Sequence, residues 1–145
     1  MALRRSVSAV RVVAAPPSAV FALLADPRQH TNFDGSGSLH EVREGPERLF
    51  LGATFAMNMR IGVSYFTRNV VVDIVENKSI AWHHFVHCVW RYDLEAVPGG
   101  TRITESFTYD NPAGLVVMAM GFPERNRRSM EATLERLERL VTSSP

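Results

Sequence analysis

Cysteine is nearly missing: Cys88 stands alone, so no disulfide can form within the chain, and such a composition suits a reducing compartment. That predicts a cytoplasmic protein without covalent staples. Long hydrophobic runs are missing too. The stretch from Val7 to Val13 is interrupted by Ser8 and Arg11, and nothing approaches the ~18 residues needed to cross a bilayer. Neither a signal peptide, a membrane anchor nor stable membrane association is expected. An excess of one charge is also lacking, since 16 basic and 15 acidic side chains leave a formal charge of +1. No overall field favours nucleic acid or an anionic surface, and any partner must be recognised locally. Repeats, low-complexity segments and linkers are absent, and 145 residues suffice for a single domain over 1–145 to bury a core without metal or other cofactor.

What is present is a punctuated pattern. Val7, Ala9, Arg11 and Val13 alternate with Ser8, Val10 and Val12, which predicts a strand apolar on one face. Prolines fit the first turn of a helix, where their missing N–H costs nothing, so Pro16-Pro17 followed by Val20, Phe21, Leu23 and Leu24 predicts a short helix to about Ala25. Asp26-Pro27 repeats the start signal and leads to Phe33. After the turn cluster Asp34-Gly35-Ser36-Gly37, strands are expected over Leu39–Arg43, Leu49–Arg60, Ser64–Glu76, Lys78–His84, Cys88–Val97 and Thr101–Asp110. Their short breaks favour antiparallel neighbours. Asn111-Pro112 then opens a helical pattern through Met118, Phe122, Met130, Leu134, Leu137 and Val141, with Pro123 expected to kink or divide it.

In this order, the last helix has one large surface to bury against, the concave face of the sheet. Strict alternation puts Phe55, Met57, Met59, Ile80, Trp82, His84 on that face. It adds Trp90, Tyr92, Leu94, Ile103, Glu105, Phe107 and Tyr109, leaving Arg91, Asp93, Arg102, Thr104 and Ser106 for water. Polar atoms of His84, Tyr92 and Glu105 among so many aromatics and methionines are unusual for a dry core, where each needs a partner. A mostly apolar pocket with a few converging polar groups is what a ligand site looks like.

The runs Val13-Ala14-Ala15-Pro16-Pro17-Ser18-Ala19-Val20-Phe21, Ala25-Asp26-Pro27-Arg28-Gln29-His30 and Phe33-Asp34-Gly35-Ser36-Gly37, with Asn69-Val70-Val71, Ile80-Ala81-Trp82 and Gly99-Gly100-Thr101-Arg102-Ile103-Thr104-Glu105-Ser106, resemble the START-like superfamily. More narrowly, the chain is similar to the bacterial polyketide cyclase/dehydrase-like group, the SRPBCC proteins, over essentially its whole length. The resemblance implies an α+β helix-grip fold, with a curved antiparallel seven-stranded sheet around a long C-terminal α-helix and two short helices between strands 1 and 2. It also implies a hydrophobic tunnel for lipids, sterols, polyketides or hormones, with cyclisation or dehydration in some members. These motifs are architectural, so function needs its own argument.

Glu105 is the sharpest chemical candidate, because desolvation between Ile103 and Phe107 would raise its pKa unless a donor meets it. It is either a general base or ligand acceptor, or a structural carboxylate paired with Arg60 or Arg125. His84 with Tyr92 or Tyr65 could polarise a ligand carbonyl. His83, His84 and His87 cluster beside Cys88, but adjacent strand residues face opposite ways, so no metal site is expected. Phe33, Phe55, Trp82, Trp90 and Phe107 read as cavity lining, since a stacking platform for nucleic acid would need a basic groove beside it. Met57, Met59, Met118, Met120 and Met130 suit several ligand shapes. Arg125, Arg127 and Arg128 read as a solvated helix face, or as a basic gate over the tunnel.

The leading expectation is a binding or carrier protein for a small hydrophobic ligand, with a homodimer left open. A cyclase, aromatase or dehydratase using Glu105, His84 and Tyr92 as acid and base is the alternative. The third class is a regulatory interaction module whose interior is merely core.

Overall fold

Alternation and proline punctuation turn directly into elements. In the computed structural model, which describes residues 5–37, 39–85, 88–109 and 122–142, the chain opens with β1 (Arg5–Val13). Val7, Ala9 and Val13 are buried on one side of it and Val10 and Val12 are exposed on the other. Pro16 caps α1 (Pro17–Leu24), which buries Val20, Phe21 and Leu24. Asp26 then accepts the Arg28 N–H at 3.0 Å, starting a 3-10 turn (Pro27–Gln29) that runs into α2 (His30–Phe33).

Six strands follow: β2 (Leu39–Glu44), β3 (Thr54–Ile61), β4 (Val63–Val75), β5 (Ser79–Phe85), β6 (Cys88–Val97) and β7 (Gly100–Tyr109). All pairs are antiparallel, and the order β1-β7-β6-β5-β4-β3-β2 makes one seven-stranded sheet. Residue 86, near which a break was expected, lies outside the described residues. β3 begins at Thr54, not at Leu49 as the sequence pattern predicts. The reason is local: Gly52 has φ 84°, off the extended region, and the Leu49 N–H is committed to the Ala25 carbonyl at 2.7 Å. Gly100 is required where β7 starts beside the end of β1, since a Cβ there would sit 1.9 Å from the Val13 carbonyl oxygen.

The closing helix, α3 (Phe122–Thr142), buries Met130, Thr133, Leu134 and Leu137 at helical spacing. Each of the apolar three contributes about 2 kcal/mol by leaving water. Arg11 of β1 donates through Nε and Nη2 to Glu138 Oε1 at 3.1 and 2.8 Å, tying helix to edge strand. Both side chains are about a third exposed, so the pair adds little stability. The loop after α2 is held more closely: the Gly35 N–H donates to Thr133 Oγ1 at 2.8 Å, and the Arg136 guanidinium donates to the Asp34 carbonyl. A Cβ on Gly35 would meet the Ser129 carbonyl oxygen at 2.5 Å, so only glycine fits between loop and helix. Residues 110–121, where the helical pattern was expected to open, lie outside the described residues, and Pro123 stands second in α3. Among the described residues, no helix is long and apolar enough to cross a membrane.

Candidate functional site

Register places the central pair. In the β6/β7 ladder Tyr92 lies directly opposite Glu105, and both side chains face the buried side with Ile103, Phe107 and Leu94. Facing residues of an antiparallel pair are close enough to interact, and the Tyr92 hydroxyl meets Glu105 Oε2 at 3.0 Å. Glu105 is 3% exposed, and its Oε1 is buried without a hydrogen-bond partner. Burial holds the Glu105 carboxyl well above the usual carboxylate range; the Tyr92 bond works the other way, and the negative charge of Asp34 adds to the rise. Burial and the neighbouring Glu105 likewise push the Tyr92 phenol well above its ordinary value. Burial without a cation beside it thus favours the protonated form of both groups.

An aromatic wall continues from this pair. Trp82 lies 5.8 Å from Tyr92 and 5.6 Å from Phe55 between ring centroids, and His30 stacks on Trp82 at 5.1 Å and 25°. Phe33 is 5.1 Å from His30, and Trp90 packs on Phe107 at 4.5 Å. His30 is buried, with Nε2 2.9 Å from the Leu24 carbonyl oxygen. A carbonyl only accepts, so Nε2 carries the proton. Burial lowers the His30 pKa to about 4, against smaller opposing effects of the Leu24 carbonyl and Asp26, and the ring is neutral.

The expected lining is largely brought together. Phe33, Phe55, Met57, Trp82, Tyr92, Glu105, Phe107 and Met130 are buried, and Met59 and Trp90 pack partly buried against them. Tyr65 stands opposite Met59 in the β3/β4 ladder and shares its face, but it is 37% exposed because the end of the hairpin lies beyond the buried part of the sheet. It belongs to the rim rather than the interior. Met118, Met120 and His87, and the side chains of His84, Tyr109, Phe122 and Arg125, lie outside the described residues. Among the described residues the partner of Glu105 is Tyr92 and not Arg60, which is exposed on β3 at the alternate position to Met59. Arg127 and Arg128 are exposed on α3. Among the described residues, no three His, Cys, Asp or Glu gather as metal ligands.

His30 is not singled out by sequence alone. The available signal was the Asp26-Pro27 cap with His30 and Phe33 three residues apart, a spacing that puts both on one helical face. A surface groove lined by Arg28, Thr31, His40, Val42, Arg43 and Gly45 shares no residue with this cluster. Chemically, the buried cluster offers an apolar, aromatic surface with a neutral carboxyl and phenol at one end. It can hold an oxygen of a small molecule, or pass a proton to one.

Comparison with known proteins points the same way. A family model described as polyketide cyclase / dehydrase and lipid transport matches residues 4–142. An uncharacterized protein of Mycobacterium tuberculosis H37Rv, Rv0088, is 35% identical over 133 residues, which is 86% of this chain and 59% of that protein. The chain thus spans less than two thirds of that relative. Among solved structures, protein CV1439 of Chromobacterium violaceum superposes with a TM-score of 0.77 at 18% identity, covering 97% of this chain and 99% of the other. The di-domain ARO/CYC BexL from the BE-7585A biosynthetic pathway superposes with a TM-score of 0.73 at 17% identity, covering 99% of this chain and 52% of the other. At such identities the likeness shows the helix-grip fold.

Proposed function

The chain belongs to the polyketide cyclase / dehydrase and lipid transport family, and from that premise we propose that it binds a small lipophilic molecule on the concave side of its sheet. The observation that carries this reading is Glu105 Oε1, a buried oxygen without a partner beside a wall of aromatic rings. A buried polar atom left unmatched costs about 1–3 kcal/mol, and native proteins keep such atoms where something else engages them. The apolar surroundings supply affinity and the Tyr92–Glu105 pair supplies orientation. A cytoplasmic setting, for which the lone Cys88 speaks, is part of the proposal. The test is organic extraction and native mass spectrometry of the purified protein, which should release a hydrophobic compound or take one up. Failure of every member of a hydrophobic library to bind would overturn the reading.

A second reading, an enzyme of the cyclase, aromatase or dehydratase type, is favoured by one observation. Glu105 is neutral and hydrogen-bonded to Tyr92, so it can give a proton to a carbonyl or a departing hydroxyl. Incubation with a poly-β-ketone should then give a cyclised product, whereas Glu105→Gln should bind the substrate without turning it over. Equal turnover by the variant would remove Glu105 from the chemistry.

A further inference from the structure

With the carboxyl protonated, the form that burial without a cation favours, Tyr92 and Glu105 carry two O–H groups and share a single hydrogen bond. If the phenol donates to Oε2, the carboxyl proton sits on Oε1, which has no partner. If the carboxyl donates to the phenol instead, the phenol's own proton is left over. Whichever way the bond runs, one buried O–H has no acceptor, and a buried donor is among the costliest groups to leave unmatched.

Among the described residues, none provides that acceptor. On β1 the residue paired with Glu105 is Ala9, and the buried residues of α3 are Met130, Thr133, Leu134 and Leu137. His30 spends its N–H on the Leu24 carbonyl and stacks on Trp82, and Glu105 Oε1 makes no bond to its second ring nitrogen. The charge that acts on the pair is Asp34, which is negative, and among the described residues no lysine or arginine is buried. A carboxylate guest would bring a second negative charge next to Asp34 with no cation to meet it. An ammonium guest would need the carboxyl ionised in an interior where burial opposes that charge, and a hydrocarbon would leave the O–H unmatched.

Building on the binding function proposed above, we infer that the Tyr92–Glu105 pair donates a hydrogen bond to its ligand, and that this ligand is an uncharged carbonyl compound such as a ketone, ester or amide. Specificity then lies in one donor set in an aromatic wall, and the apolar remainder of the molecule is read by shape alone.

The experiment uses the intact chain and aryl probes of one, two and three rings, each as the methyl ketone, the isopropenyl hydrocarbon of the same shape, and the carboxylate. Dissociation constants are read by calorimetry. For whichever ring size binds, the ketone should bind about 10-fold more tightly than the hydrocarbon, the value of one hydrogen bond to a buried group. The carboxylate should bind most weakly. Glu105→Gln, whose amide also carries N–H donors, should keep the ketone preference, and the double variant Glu105→Leu with Tyr92→Phe, which has no donor left, should lose it. Infrared difference spectra should show the stretch of a protonated carboxyl at neutral pH, absent from Glu105→Gln and shifted by the ketone. Equal affinity for ketone and hydrocarbon, a preference for the carboxylate, or no protonated-carboxyl band would overturn this inference and leave the carrier reading standing. If no probe of any ring size binds, the carrier reading falls and this one with it.

Discussion

One end of the aromatic wall holds the buried His30 and the other the buried pair Tyr92 and Glu105, and the two are finished differently. At the His30 end, the imidazole stacks on Trp82 and its N–H is spent on the Leu24 carbonyl. At the Glu105 end, the carboxyl shares one bond with Tyr92 and keeps an oxygen with no partner. Burial opposes charge in each, lowering the His30 pKa to about 4 and raising that of Glu105 well above the usual carboxylate range. A matched polar group helps to specify a fold, whereas the half-matched one is, on the function proposed above, kept for a ligand. The comparison separates an internal brace from a contact point.

Four experiments would break or sharpen this contrast. The largest effect is expected at the brace. His30→Ala opens a gap beside Trp82 and Phe55 and orphans the Leu24 carbonyl, so urea unfolding should show a loss of about 3 kcal/mol or more. A loss below 1 kcal/mol would mean that the imidazole does not hold this end together.

Next is the acid limb of stability. The unfolded chain takes up a proton on His30 below pH 6.5, while the folded protein resists until about pH 4. The stabilisation is thus complete above 6.5 and is lost as pH falls to about 4, amounting to about 3 kcal/mol. The difference between wild-type and His30→Phe denaturation curves across that window should show this slope, since the raised Glu105 acts with the opposite sign in both; no difference would assign it elsewhere.

Tyr92→Phe comes third. It removes the partner of Oε2 and should cost about 1–2 kcal/mol, with thermal unfolding as the readout.

Smallest is Glu105→Leu, which replaces a half-matched acid by an apolar side chain and should fall within about 1 kcal/mol of the wild type. A loss of several kcal/mol would make Glu105 a brace like His30. The pH signs also differ between the ends. With its folded pKa raised, Glu105 contributes fully at acid pH and loses that contribution as pH rises through its folded value. Glu105→Gln should therefore remove a fall in stability that begins above the unfolded carboxyl's 4.5, and so steepen the acid limb that His30 sets.

The inner face of β5, β6 and β7 was legible because period-2 alternation is rigid: Ile80, Trp82, Tyr92, Leu94, Ile103, Glu105 and Phe107 all fall inward as the pattern predicts. The proline-led entries to α1 and to the 3-10 turn were legible because Pro17 and Pro27 fix φ where a helix begins. What alternation does not contain is partnership across strands. The link between Tyr92 and Glu105 depends on a register set by the turn at Gly99 and Gly100, so the sequence pointed to arginines instead. His30 escaped for a related reason. It sits on a short helical segment whose inward face is decided by where α2 docks, not by any local period.

Gly35 has a mechanical consequence. With only a hydrogen atom between its backbone and that of α3, and with Thr133 and Arg136 gripping the same loop, the helix and the residue before Gly35 behave as one lever arm. That residue is Asp34, whose negative charge raises the proton affinity of Glu105. Any displacement of the helix must therefore either tear those bonds or drag the aspartate along, so that a shift in position at one edge of the molecule would be registered as a change of acidity at its centre.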